Sequence, residues 1–338
     1  MIDRAKITVI GAGAIGGVIA NSLATAGHEV SLLVRGDTLR AIQTDGLRVR
    51  SRRPDSVGNV KEIEDCQRLV AVADAAQLGP QDAVFIATKG HSIPELLPRI
   101  KPLLGERTMV IPAINGLPWW YFYQSGGPYE NRVLRSVDPH GAMFGQLDCD
   151  RVIGCVVYIA AELLAPGFIN HTQSRLLVFG EPTGEATPRL EQLTAWWKNA
   201  GMEARASSDI RNDIWVKLTG NLAFNIISAI TGCNLAEVVR DEALMSVARS
   251  LLEECLEVAR SAGMSPDITV DRRIEMAGKI GAIRPSTLQD FEAGRRPELE
   301  GLMGCVIELA EWGGVPVPTM RSIYALAMAK ARHQRLLD

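Results

Sequence analysis

The 338-residue chain has few of the residues that small-metal or disulfide architectures need. Its six cysteines (66, 149, 155, 233, 255 and 305) are scattered, and no C-x-x-C pair occurs. None of its five histidines stands at metal-ligand spacing from a cysteine, so no metal site is expected and the thiols are expected to be free. No run of 18 apolar residues occurs, so no membrane span is expected. Charge of one sign is also missing: 36 Lys+Arg against 39 Asp+Glu leave a net charge of -3, without the basic footprint of a nucleic-acid binder. The densest basic cluster, Arg48-Val-Arg-Ser-Arg-Arg53, reads as a solvated loop or strand edge. What is present is a globular balance, 47% hydrophobic and 22% charged, with length for two domains. The opening MIDRAKITVIGAGAIGGVIA has the charge-then-apolar look of a secretion signal. Its glycines instead fall in a phosphate-loop pattern with no separate cleavage site, so a soluble, cytoplasmic protein is expected.

Lys6 to Ile10 is a short β-branched run that closes on Gly11-Ala12-Gly13-Ala14-Ile15-Gly16. A helical stretch from Val18 to Ala26 and a second strand, Val30 to Val34, follow. This strand–turn–helix–strand order is what gives G-x-G-x-x-G its meaning as a dinucleotide site. Gly11 permits the tight turn, Gly13 lets backbone approach a pyrophosphate, Gly16 lets helix pack on strand, and the helix start offers unpaired N–H groups to an anion. After the second strand, where an acid would grip the ribose of NAD, stands Arg35, with Asp37 as the first acid. A guanidinium suits a 2′-phosphate, so NADPH/NADP+ is the expected cofactor. The bland alternative is a surface arginine that caps the turn with Asp37. Two further apolar runs, Asp82 to Lys89 and Thr108 to Gly116, read as buried parallel strands. Their carboxyl ends carry Lys89 and Asn115, which are expected to border the nicotinamide or the substrate. Val152 to Glu181 reads as two strands turning at Ala165-Pro166-Gly167, Pro188 to Ala200 as a helix, and Met202 to Ala206 as one more strand.

From Ile210 onward the strand signals stop, and the domain boundary is placed near Ser208. Asp213 to Ser228 is an apolar helix carrying Lys217, Asn221 and Asn225, which at about 100° per residue fall within roughly 80° of one another on one face. Such a stripe is costly unless it reaches water or lines a polar cleft. Helices are expected at Glu242 to Ala262, Glu298 to Trp312 and Thr319 to Arg332. Between the first two lies a polar segment, Arg284 to Gly301, in which Ser286 would serve as a turn or cap residue and Glu298 as a first-turn acid. The expected fold is thus an α/β Rossmann-type N-terminal domain (1–208) followed by an all-α C-terminal domain (209–338).

Taken together, the G-A-G-A-I-G loop, Arg35, Asn115-Gly116, Pro166-Gly167-x-x-x-His171, W-x-K-L-x-x-N-x-x-x-N and the Ser286/Glu298 spacing resemble the ketopantoate reductase (2-dehydropantoate 2-reductase) family over nearly the whole chain. The resemblance implies an active site in a cleft between two domains. It also implies NADPH-dependent reduction of 2-dehydropantoate to pantoate, a step of pantothenate and coenzyme A synthesis. By the same resemblance Lys217 is the general acid and Glu298 an active-site acid near the substrate. Asn221, Asn225 and Ser286 would bind substrate, with Asn115 where nicotinamide and substrate meet. The loop residues, Arg35 and Lys89 would hold the cofactor.

Two features depart from the pattern. Ile114 stands where the family often has Gln, and Trp119-Trp120-Tyr121-Phe122-Tyr123 is unusually aromatic in a chain with only 5% aromatics. That block is either a core or interface plug or a cleft lining that would favour another branched or aromatic 2-oxo acid. A non-catalytic NADP-binding sensor is the alternative from another class. The amphipathic C-terminal helices close either one domain or a homodimer interface.

Overall fold

The computed structural model describes residues 4–54 and 60–337. It divides into two compact units: Met1–Ile114 with Met143–Ile210, and Asn115–Ala142 with Arg211–Asp338.

In the first unit, strands β1 (Lys6–Ile10), β2 (Glu29–Leu33), β3 (Leu47–Pro54), β4 (Val60–Gln67), β5 (Val70–Val72), β6 (Gln81–Ile86) and β7 (Leu104–Pro112) come before the excursion into the second. Strands β8 (Gly154–Val157), β9 (Ala160–Ala165), β10 (Phe168–Gln173), β11 (Leu176–Gly180) and β12 (Glu203–Ala206) follow it. The main sheet is parallel, in the order β5-β2-β1-β6-β7. Apolar residues fill its strands, as a covered sheet requires: Ile7, Val9, Leu32, Ala83 and Phe85 of the inner strands and Ile111 of β7 are buried, and the polar Thr8 and Ser31 hydroxyls satisfy each other at 2.7 Å. Helix α1 (Ala14–Thr25) packs against this sheet and also against β10. The close approach to β10 is possible because residue 17 is glycine; a Cβ there would stand 2.4 Å from Ile169 Cδ1.

A second sheet, β4-β3-β10-β9, corrects two expectations. The stretch read as two strands, Val152 to Glu181, holds four short ones. The basic cluster is neither loop nor edge: β3 is an interior strand, paired with β4 and β10. Its charges are met across the antiparallel register, with Arg48 2.6 Å from Glu64 and Arg50 3.3 Å from Glu62, and both guanidiniums lie over the Phe168 ring. The side chain of Arg53 lies outside the described residues. A small third sheet, β12-β11-β8, completes the unit, with helix Pro188–Asn199 capped by the Thr187 hydroxyl.

The second unit is helical, as expected, and by its internal contacts it takes in residues 115–142 together with 211–338. The reason is the aromatic block. Trp119, Trp120, Tyr121 and Phe122 are each at most 2% exposed, and Tyr121 and Phe122 pack in a ring cluster with Trp215, Tyr129 and Trp312. Polar bonds fasten the same segment: Arg211 donates to the carbonyls of Tyr121 and Tyr123, and Glu308 accepts from the backbone N–H of Arg135 and Ser136. The block is therefore core of this unit.

Helix Ile210–Thr231 runs through the second unit's interior, all but its first residue belonging to that unit. By length and composition it could cross a membrane, yet 67% of its most apolar window is buried within the protein, the state of a core helix. It stops at Gly232, whose φ of 80° is left-handed, and the Lys330 ammonium binds the terminal carbonyls of Ala229 and Ile230. Helices Leu235–Arg240, Glu242–Ser261, Val270–Ile280, Ser286–Glu292, Cys305–Gly313 and Pro318–His333 surround it.

Candidate active site

The first unit brings its expected cofactor residues to one edge of the parallel sheet. Gly11 follows β1 with φ +88°, a conformation that side chains resist, and a Cβ on it would lie 2.8 Å from Thr88 Cγ2. At Gly16 a Cβ would stand 1.9 Å from the Gly11 carbonyl oxygen, so only glycine lets α1 start so close to the loop. Gly13 caps α1 with no side-chain bond, and the space where its Cβ would be is empty. Helix α1 therefore presents uncapped N–H groups beside open space, with Ala12, Ala14 and Ile15 adding no polar competitor. That arrangement fits a dinucleotide pyrophosphate. Arg35 follows β2 with its side chain exposed. Asp37 pairs with Arg40, and Arg35 stands at the N-cap of the helix Gly36–Asp45 without a side-chain cap bond. Lys89, partly exposed, follows β6 at the same edge.

The second unit assembles the other set. Lys217 Nζ donates to Asn115 Oδ1 at 2.7 Å, joining residues 102 positions apart. The Asn115 loop is itself docked: Leu117 N–H donates to the Gly301 carbonyl at 3.1 Å. Gly116, at φ +81°, is so close to that carbonyl that a Cβ would be 2.0 Å from its oxygen. Gly301 lies three residues beyond Glu298, so this backbone contact brings the Glu298 segment to the Asn115 loop. Glu298 is partly buried, and its carbonyl accepts from Leu302 N–H as the next helix begins. Cys305 is no nucleophile here: burial pushes its thiol up to about 12.

Around Asn221 the structure differs from the uniform helix expected. Asn221–Asn225 is a π turn between the α-helical segments Ile210–Gly220 and Ile226–Thr231, and a second π turn spans Glu300–Gly304. A π turn carries an extra residue per turn and is frequent at functional sites. Lys217, Asn221 and Asn225 nonetheless remain partly exposed while Leu218, Leu222, Ala223, Ile226 and Ile227 are buried. The stripe thus reaches the unit's surface. Ser286 is exposed at the first turn of Ser286–Glu292, a helix that packs against the π turn and the segment after it.

Arg273 was not anticipated, because nothing in its own stretch, Val270–Ile280, marks it. Its guanidinium occupies the place where a side chain at residue 220 would be: a Cβ on Gly220 would fall 1.5 Å from Nη2 and 2.1 Å from Cζ. It also lies 5.8 Å over the Phe224 ring.

Two family models match, one described as ketopantoate reductase PanE/ApbA over residues 7–184, the other as its C-terminal part over residues 209–331. The chain belongs to the ketopantoate reductase family. A 2-dehydropantoate 2-reductase of Mesorhizobium japonicum is 44% identical over 322 residues, covering 95% of this chain and 96% of that one. A structure solved as a candidate ketopantoate reductase from Ralstonia solanacearum superposes with a TM-score of 0.91 at 34% identity, covering 99% of this chain and all of that one. D-mandelate dehydrogenase, solved with NADH and anilino(oxo)acetate, shares the fold at 20% identity with a TM-score of 0.82, covering 98% of this chain and 99% of that one. As a ketopantoate reductase family member the chain is an oxidoreductase of the nicotinamide-dependent kind.

Proposed function

We propose that the protein reduces 2-dehydropantoate to pantoate with NADPH, in the supply of pantothenate and coenzyme A, and that Lys217 is the general acid. The observation that carries this reading is the 2.7 Å bond from Lys217 Nζ to Asn115 Oδ1. It holds an ammonium at a fixed point on a partly exposed face, beside Asn221 and Asn225.

Gly11, Gly13 and the α1 N-terminus would hold the pyrophosphate, Arg35 the 2′-phosphate, and Lys89 and Asn115 the region of the nicotinamide. When bound, the cofactor supplies the hydride. As negative charge grows on the 2-oxo oxygen, the Lys217 ammonium stabilises it and donates its proton there, leaving a neutral amine and a hydroxyl. Asn115 orients the ammonium. Asn221, Asn225 and Ser286 supply donors for the substrate, and Glu298 completes the set as a carboxylate near the substrate or the lysine. Support for 2-dehydropantoate over another 2-oxo acid comes from the 44% identical relative. The aromatic block, the feature that pointed to a different substrate, is core and so gives no support to an altered pocket.

The test is steady-state kinetics with NADPH and a panel of 2-oxo acids. The expected result is a kcat/KM for 2-dehydropantoate well above that for aromatic or other branched 2-oxo acids. A preference for one of those would move the substrate assignment. NADP+ binding without turnover of any of them would make the protein a sensor.

A further inference from the structure

We propose that Arg273 is a substrate-binding residue that clamps the carboxylate of the 2-oxo acid and selects acids over uncharged carbonyl compounds. The inference rests on the reading of Lys217 as the acid and names the group that holds the other end of the substrate.

The argument begins at Gly220. Counting from Lys217 at about 100° per residue, Gly220 lies roughly 60° to one side and Asn221 roughly 40° to the other. Gly220 therefore borders the polar stripe. It is buried although it has no side chain, because the Arg273 guanidinium lies against its backbone. The nearest three atoms to a Cβ at residue 220 would be Nη2, Cζ and Nε of Arg273, at 1.5, 2.1 and 2.2 Å. Phe224, one turn on, offers its ring to the same guanidinium at 5.8 Å. Arg273 itself is partly exposed. A planar fork of donors thus flanks the lysine's face, its position set by a missing side chain on one side and an aromatic ring on the other.

A 2-oxo acid carries two oxygen-bearing carbons joined by one bond. The keto oxygen needs a proton donor, and the adjacent carboxylate needs a fixed cation that keeps its proton. Lysine suits the first task and guanidinium, which stays charged and binds carboxylate bidentately, the second. The structure sets the lysine on this helix and the guanidinium against its Gly220 backbone, about 60° round from it.

The experiment compares kcat/KM for 2-dehydropantoate with that for its uncharged lactone, formed when the hydroxyl closes on the carboxyl. The enzymes are the unaltered protein, Arg273→Ala, Arg273→Lys and Gly220→Ala, all with NADPH and with thermal unfolding measured alongside. Arg273→Ala should lower the acid-to-lactone ratio by about 10- to 100-fold, chiefly through KM for the acid. Arg273→Lys should recover part of that ratio. Gly220→Ala, whose new methyl meets only the far end of a flexible side chain, should lower the ratio too by displacing the guanidinium from a folded enzyme. Equal losses on acid and lactone, or an unchanged ratio, would overturn the proposal and make Arg273 a packing residue. If the unaltered enzyme reduced neither compound, the functional reading would fall, and this one with it.

Discussion

The Gly11–Gly16 loop and the Lys217 helix prepare their chemistry in opposite ways. The loop works through backbone. A positive φ at Gly11, an unfilled space at Gly13 and a backbone approach at Gly16 so close that a Cβ would stand 1.9 Å from the Gly11 carbonyl oxygen each depend on a side chain that is not there. Everything it needs lies within six consecutive residues, between a strand and a helix that are neighbours in sequence. The helix works through side chains whose partners arrive from afar: Asn115 from 102 positions upstream, Arg273 from the helix Val270–Ile280, and Lys330 to tie down the last carbonyls. A local device can be recognised from its own letters. A site assembled across 200 positions cannot, except by the oddness of polar residues in an apolar helix.

Three measurements sharpen or break that contrast. The largest effect is expected for Lys217→Ala: kcat with 2-dehydropantoate should fall by about 10²–10⁴-fold while NADPH binding, measured by fluorescence titration, stays intact. A parallel loss of cofactor affinity would mean that the two devices are not separable. Arg35→Ala is the mirror experiment and somewhat smaller. It should weaken NADPH by about 10- to 100-fold and leave NADH nearly unaffected, with kcat at saturating cofactor unchanged. An equal loss for both nucleotides would remove the 2′-phosphate from the assignment. The smallest effect concerns the first unit's stability. His28 is buried against Trp196, its Nδ1 accepts from Ala5 N–H, and burial holds its pKa below the ordinary value. The unfolded chain therefore takes up the proton first. Stability is undiminished above a pH of about 6.5 and falls as pH drops from there toward the lowered folded value. Denaturant unfolding at several pH values should show this slope in the unaltered protein and a reduced one in His28→Gln.

How much was legible follows the same division. The sheet's carboxyl edge with Gly11, Arg35 and Lys89, the helix after the loop and the helical character beyond 210 could all be read from apolar runs and breakers. The Lys217–Asn221–Asn225 stripe was visible as a periodicity, but its π turn was not, since no residue type specifies i→i+5 bonding. The basic run at Arg48–Arg53 misled because the acids that neutralise it, Glu62 and Glu64, sit across a hairpin in register. The aromatic run at Trp119–Phe122 left both a core and a cleft reading open, and burial against Trp215 and Trp312 decided for core. Ser286 and Glu298 were singled out by resemblance. The Glu298 segment meets the Asn115 loop through a backbone contact, Leu117 to Gly301, which leaves no mark on side-chain pattern.

The sequence by itself determined the parallel strands, the glycine loop, the arginine that follows the second strand and the lysine in its apolar helix, because each depends on propensity and spacing within a few turns of chain. Only the tertiary structure decided that residues 115–142 belong to the second unit. It alone set Asn115 on Lys217 and seated a guanidinium where Gly220 has no side chain. These are contacts between distant segments. Their energies come from burial and from pairing polar groups that would otherwise be stranded, and neither exists until the chain has closed on itself.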